Sequence, residues 1–596
     1  MFKSTAIFFK SFGNMLWGYK KAFKASPEFV IYKVVFAIFQ ALQNLIQSVF
    51  LLAFLISCIE EKREFSYALK FIIIAAIIIT AKFLLESIGN HKCLIMGKEK
   101  ILRDLSLELY DKSIKMDLSF YDDPKFYNDF VWAMNDAPQQ IILSFNLVHW
   151  GVYVSVTALI TGIYISTQDA IGVIAVAISV FLRVVIHIIA VKKEIKMEEE
   201  KKPFQRKRDY INRVFYLIDF AKDIRLSNIK DLLFDDFEDS NKNMSKVVKK
   251  HSKTLVFLTQ TYYSITTAIL NLYLIWLLYC YFFLGTIQTL GVVVSLHNAI
   301  NSMSNSLTNL ANVLPEIQRT GLYIEKMRHF LNTKNNILDE GKEKLPENFD
   351  ILLENVSFSY PGSEKQVLKN INLSIPKGSK IAIVGYNGSG KSTLVKLIMR
   401  LYDPSSGEIK LGEHNIKKYP LGDYRDSIST LFQDFQIMAA TLGENICMDD
   451  TPLDREKAEN ILSLTGFTPI YNKLSNKMDT LLTKEFDAEG VNFSGGESQK
   501  IAISRALYSD AKLLILDEPS SALDPLSEYT LNHTITELAK DRTIIFISHR
   551  LSTTKIADKI YMLENGQIIE EGTHSELMQK KGKYSEMFLL QAQKYR

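Results

Sequence analysis

Residues 381–393 read IAIVGYNGSGKST, an apolar run feeding directly into a Gly-x-x-x-x-Gly-Lys-Ser pattern. That order of residue types is suited to gripping a polyphosphate. Ile381, Ile383 and Val384 have the composition of a buried strand, Gly385, Gly388 and Gly390 that of a tight loop, and Leu394, Ile398 and Met399 that of an apolar helix stripe. Glycine is needed because backbone N–H groups must approach the phosphates closely, where a Cβ would obstruct them. The following helix adds the partial positive charge of its N-terminus. Lys391 places a full charge near the β- and γ-phosphates, the Ser392 hydroxyl suits a Mg2+ ligand, and Thr393 lies one residue deeper; Asn387 and Ser389 belong to the same loop.

A second half of the same site is expected in residues 512–524, KLLILDEPSSALD. Leu513 to Leu516 form a short apolar strand ending in two acids at the edge where α/β sheets bind ligands. Adjacent strand residues point to opposite sides, so the two carboxylates take different jobs. Asp517 is assigned to the Mg2+ shell and Glu518 to polarising the attacking water as general base.

With these two segments in place, the chain resembles the ATP-binding cassette (ABC) transporters, with further motifs in family order over the last two-fifths of the sequence. Tyr360, in VSFSYPG, matches the aromatic that stacks on adenine, and Gln433, in LFQDF, the glutamine that links Mg2+ and the attacking water to the membrane domain. Phe493, Ser494, Gly495, Gly496 and Glu497 (FSGGE) match the LSGGQ signature, Ser521 and Asp524 the loop at the dimer seam, and His549 the histidine that senses the γ-phosphate. The resemblance implies a site formed by two subunits, the signature of one covering the ATP of the other. A homodimer is the default because the motifs are complete, and a heterodimer with a sister half-transporter is the alternative.

Two departures from the pattern stand out. Glu497 replaces glutamine and brings a carboxylate toward a site that receives triphosphate; the resemblance leaves the phosphate contacts to Ser494 and the N–H groups of Gly495 and Gly496. Residues 485–490, EFDAEG, keep the family's glutamate and glycine but not its middle residues.

A membrane region precedes this domain. Taking about 20 apolar residues per helical span, candidate spans lie near 30–58, 67–88, 142–166, 169–191, 255–284 and 287–312. The implied fold class is a polytopic α-helical membrane domain of six transmembrane helices fused to an α/β phosphate-loop ATPase with a helical signature subdomain. The expected divisions are an interfacial elbow helix at 1–28, a membrane domain at 29–315 with cytoplasmic extensions at 91–141 and 192–254, a linker at 316–349 and the cassette at 350–596. Each extension is expected to turn in a short coupling helix, near 121–130, where Pro124 marks a helix start, and near 216–225. Lysine and arginine crowd the segments before span one and after spans two and four, and are absent from 166–169 and 285–288. This places the N-terminus and the ATPase in the cytoplasm, and the resemblance implies a bacterial inner or plasma membrane. The cysteines Cys58, Cys93, Cys280 and Cys447 show no paired spacing, so neither a disulfide framework nor a zinc site is expected.

Six spans before one cassette are similar to exporter-type half-transporters, implying ATP-driven export by alternating access. Asn298, Asn301, Asn305, Asn309 and Asn312 give the sixth span an amide-rich face, either the wall of a wet substrate path or a helix interface. The run 116–137 and the signature context GVNFSGGESQK look like bacterial peptide exporters, including bacteriocin and lantibiotic types. A peptide or an amphipathic drug is therefore the expected substrate, with lipid flipping and an ATP-gated channel or regulatory subunit as alternatives. With no peptidase domain before span one, leader cleavage is not expected, nor is nucleic acid expected as a partner.

Overall fold

The computed structural model describes residues 2–519, 528, 533, 542–548 and 554–593. The chain divides into two compact units, one of residues 1–114 and 129–333, the other of residues 115–128 and 334–596.

In the first unit a helix Phe2–Ala25 precedes six long helical rods, Pro27–Glu60, Phe65–Ile114, Ala137–Gln168, Ala170–Tyr216, Ile229–Leu284 and Leu290–Asn332. The first, second, third and fifth are long and apolar enough to cross a membrane, and the fourth holds a shorter apolar stretch, Ala170–Ile186. With 50 residues the second rod is about 75 Å long, more than twice the thickness of a hydrocarbon core. The sixth rod continues through Asn332, so residues 316–332 of the expected linker are helical.

The rods show the composition of helices solvated by lipid. Ile73, Ile74 and Ile77 face outward, whereas the small Ala37, Ala41 and Ala75 are buried where backbones approach. At Gly89 a Cβ would fall within the Tyr32 ring. Polar caps set the rod ends: Asp169 accepts from Ile171 N (3.0 Å) and from the Tyr273 hydroxyl (2.9 Å), and Glu60 accepts from Leu290 N (2.7 Å). The N-terminal helix reverses the usual pattern. It buries Ser11, Asn14 and Ala22, with Asn14 Nδ2 donating to Gly321 O (3.3 Å) and Lys10 paired with Glu325 (2.7 Å), and it exposes Phe9, Phe12, Leu16 and Phe23.

The second unit is built on two sheets. Strands β1 (Ile351–Ser359), β2 (Gln366–Ile375), β3 (Lys380–Gly385), β4 (Ser406–Leu411), β5 (His414–Asn415), β6 (Ile428–Leu431), β7 (Leu513–Asp517), β8 (Thr543–Ile547), β9 (Lys559–Glu564) and β10 (Gln567–Gly572) form an antiparallel sheet β2-β1-β4-β5 and a mostly parallel sheet β10-β9-β3-β8-β7-β6. In β3, Ile381 to Gly385 are all buried, which is why that strand reads as a continuous apolar run. A helical subdomain, including Leu442–Cys447, Arg455–Leu464 and Gly495–Tyr508, packs around Phe467, Leu462 and Ile501.

The turn between the second and third rods, residues 115–128, is part of this second unit. Leu118 packs on the core, and the buried Asp117 accepts from Asn336 N and Ile337 N (2.9 Å), binding the turn to the chain that enters the cassette. The turn's helix, Pro124–Asn135, starts at the proline, as expected. The second turn folds within the first unit as a 3-10 turn, Ile218–Phe220, and a helix Ala221–Leu226 that starts five residues later than the expected segment. It leaves Ile218 and Leu226 exposed.

Candidate functional site: a nucleotide cleft

The phosphate loop follows β3 and runs into helix Lys391–Ile398. Two glycines are dictated by geometry. Gly390 has φ +105, and at Gly385 (φ +152) a Cβ would overlap the Leu563 carbonyl. Lys391 Nζ donates to Gly385 O (3.0 Å) and Tyr386 O (3.1 Å), which holds the side chain across the loop. Burial pulls this ammonium below its usual range, against the opposing charges of Glu518 and Asp517.

Residues from three strand ends meet the loop in a cleft of about 440 Å3. Its lining includes Asn387, Gly388, Gly390, Lys391, Ser392, Thr393, Gln433, Asp517 and Glu518. Ser392 Oγ donates to Asp517 Oδ2 at 3.4 Å, and Gln433 Nε2 donates to Glu518 Oε2 at 3.2 Å. The two adjacent acids thus meet different neighbours, Asp517 from the last position of β7 and Glu518 from the left-handed turn that follows it. Burial, reinforced by Glu518, pushes the Asp517 carboxyl up to about 6. Ser389 is buried beside the loop's own turn, where its N–H donates to Tyr386 O (3.2 Å).

Glu518 sits in the left-handed region at φ +50 and is pinned on both sides. Its N–H donates to Ile547 O (2.9 Å), and its carbonyl accepts from Gln499 Nε2 (3.2 Å). A non-glycine residue in that region costs energy unless its surroundings over-determine it, and such strain clusters at functional sites. Gln499 is missed by sequence reasoning; its position just past the signature is the only signal.

Tyr360 lies outside the lining but is tied to it, its hydroxyl 3.0 Å from Thr393 Oγ1. Ser494 caps helix Gly495–Tyr508, and Glu497 turns back on it in a capping box. The Glu497 carboxylate accepts from the Ser494 N–H and hydroxyl, each at 2.8 Å, and these bonds hold it below the usual carboxylate range. Gly495 and Gly496 form the first turn, and Phe493 packs edge-on to Phe467 at 5.5 Å. In the 485–490 segment Phe486 is 83% exposed. Ser521, Asp524 and His549 lie outside the described residues.

On the sixth rod Asn298 and Asn301 are half-buried, and Asn305 and Asn309 are exposed. Asn301 Nδ2 bonds His297 (3.1 Å), and Arg183, which donates to Thr266 Oγ1 (2.7 Å) and Ser304 O (3.1 Å), reaches Asn305 Oδ1 at 3.5 Å. The side chain of Asn312 is outside the described set.

The model of the ABC transporter family matches residues 368–521, which span the phosphate loop, the signature and the two acids. The subtilin transport ATP-binding protein SpaT of Bacillus subtilis is 36% identical over 64% of this chain, and the ATP-dependent lipid A-core flippase of Escherichia coli K12 is 36% identical over 51%. The segment 368–521 carries the pattern of the ABC transporter family. These alignments span 62% and 52% of the two transporters' own lengths. The fold, six rods joined to a cassette, is that of a solved bacterial ABC exporter. A solved bacterial Atm1-family ABC exporter with ATP bound superposes with a TM-score of 0.74 over 94% of this chain and 97% of that one, at 21% identity.

Proposed function

We propose that the chain is one half of an exporter in a bacterial cytoplasmic membrane, with its N-terminus and cassette cytoplasmic, driving alternating access by hydrolysing ATP. The observation that carries this reading is the convergence of Lys391, Ser392, Gln433, Asp517 and Glu518 on one cleft. Lys391 and the loop N–H groups would hold the triphosphate. Ser392 and Asp517 present hard oxygen donors 3.4 Å apart, and with Gln433 they would hold Mg2+, which neutralises phosphate charge when bound. Glu518 would take a proton from the attacking water.

The cassette carries one phosphate loop and one signature, so the working unit is a dimer, a homodimer by default. Ser494 and the first turn at Gly495 and Gly496 would close on the partner's nucleotide, with Ser521, Asp524 and His549 at the seam. ATP would then act as a ligand favouring the closed state, and its cleavage would release it. Export of a peptide is the favoured activity. The exposed amides Asn305 and Asn309 offer donors and acceptors to peptide groups, and a relative carries subtilin transport in its name. Lipid flipping is the second reading, favoured by the flippase at equal identity. ATPase stimulation in proteoliposomes tests the choice: saturable activation by cationic bacteriocin-like peptides supports the first reading, and activation by lipid alone supports the second.

A further inference from the structure

Tyr402 stands 4% exposed between the turn at residues 115–128 and Tyr360, and no motif of the cleft includes it. Its hydroxyl donates to the Asp122 carboxylate of that turn. Its ring meets the Tyr360 ring edge-on, with centroids 5.5 Å apart and planes at 85°. Phe358, 3% exposed, closes the group by touching both rings at 5.0 and 5.5 Å. From Tyr360 the contact continues to Thr393 on the phosphate-loop helix. One unbroken path of side-chain contacts therefore leads from Asp122 to the nucleotide cleft within a single unit of one chain.

We propose that Tyr402 is a positioning residue for the nucleotide base: anchored by Asp122, it fixes the edge against which Tyr360 must stand to stack on adenine. This rests on the adenine-stacking reading of Tyr360. The hydroxyl-to-carboxylate bond is charge-assisted, so it orients the Tyr402 ring more strongly than packing alone. Tyr402 and Phe358 pack against the Tyr360 ring while the bond to Thr393 fixes its hydroxyl end. Base binding and the docking of the first turn are then linked, and linkage is reciprocal: a turn that releases Asp122 loosens the base, and a bound base holds the turn. Of the cleft residues the path touches only Thr393, and Lys391, Ser392, Gln433, Asp517 and Glu518 lie off it, so the linkage acts on affinity rather than on the chemical step.

The test uses the full-length protein in proteoliposomes with Tyr402→Phe, Asp122→Asn and the double variant. Tyr402→Phe keeps ring and packing and removes only the donor. Each single change is expected to raise KM for ATP by about fivefold or more, the lower range of coupling between linked sites. The double change should be no worse than the singles, since both cut one bond. Inhibition by inorganic tripolyphosphate, which has no base, should be unchanged, and that separates base positioning from a general loss of structure. An unchanged KM for ATP, or equal losses for ATP and tripolyphosphate, overturns the proposal. Tyr360→Ala separates the layers. If it abolishes the preference for ATP over tripolyphosphate while Tyr402→Phe does not, the positioning role alone fails; if it leaves that preference intact, the stacking reading fails and the proposal with it.

Discussion

The Gln433 amide donates to the Glu518 carboxylate across 3.2 Å, joining the strand-end loop after β6 to the acid after β7. Glu518 is held there in a left-handed backbone by bonds from both its N–H and its carbonyl. The backbone of Glu518 is thus fixed beside the cleft, as the proposed general-base role requires.

Glu518→Gln keeps that geometry and removes the base. Steady-state ATP hydrolysis should fall by about 100-fold or more, the usual contribution of a positioned general base. Binding of ATP, measured by equilibrium titration, should stay within about threefold of the parent value because the phosphate contacts are untouched. A normal hydrolysis rate would remove Glu518 from its role.

Asp517 leads to a pH prediction. Its carboxyl is raised to about 6, so near and below that pH it carries a proton. Only the carboxylate can bind Mg2+, so Mg2+-dependent ATP binding should weaken as pH falls through 6. For the nucleotide-free protein the sign is opposite. A raised acid contributes stability that is complete below its unfolded value and is lost as pH rises through 6. Titration with Mg2+ and ATP between pH 5 and 8 checks the first limb, and unfolding of the nucleotide-free protein as a function of pH checks the second, each repeated for Asp517→Asn.

The phosphate loop, the paired acids and the rod positions were legible because each rests on local chemistry: a strand-loop-helix spacing, or an apolar run of bilayer length. What was not legible depends on distant chain segments. Asp117 and Asp122 look like ordinary surface acids in sequence, yet one accepts from the backbone at Asn336 and Ile337 and the other from Tyr402. Glu497 was read through its charge toward a partner's phosphates, whereas its spacing of three from Ser494 makes a capping box. The sixth rod runs on into the expected linker, through Asn332, because its helix continues as a polar segment that hydropathy does not mark.

Asp117 should be a local keystone. Asp117→Ala would leave the N–H of the buried Ile337, and that of the exposed Asn336 beside it, without their acceptor, a loss of about 2 kcal/mol. Hydrogen exchange at residues 335–338 of the full chain should then quicken by about 30-fold if opening there is local. An unchanged exchange rate would show that the clasp carries no weight.

The capping box separates two residues of the signature. Ser494→Ala should cost the signature helix about 1 kcal/mol and weaken ATP-dependent dimer closure. Glu497→Gln can still accept the Ser494 bonds through its amide oxygen, and should change stability by less than about 0.5 kcal/mol. Unfolding monitored on the nucleotide-free protein gives the first quantity and nucleotide-dependent crosslinking of dimers the second. Equal effects of the two substitutions would contradict the box.

The most direct measurement is transport itself, in inside-out proteoliposomes made with the parent chain and with Glu518→Gln. The account predicts that a peptide substrate accumulates against its gradient only with Mg2+ and ATP, and that the variant binds nucleotide without accumulating anything. Downhill leakage that runs equally well with a non-hydrolysable analogue, or accumulation that survives Glu518→Gln, would contradict it.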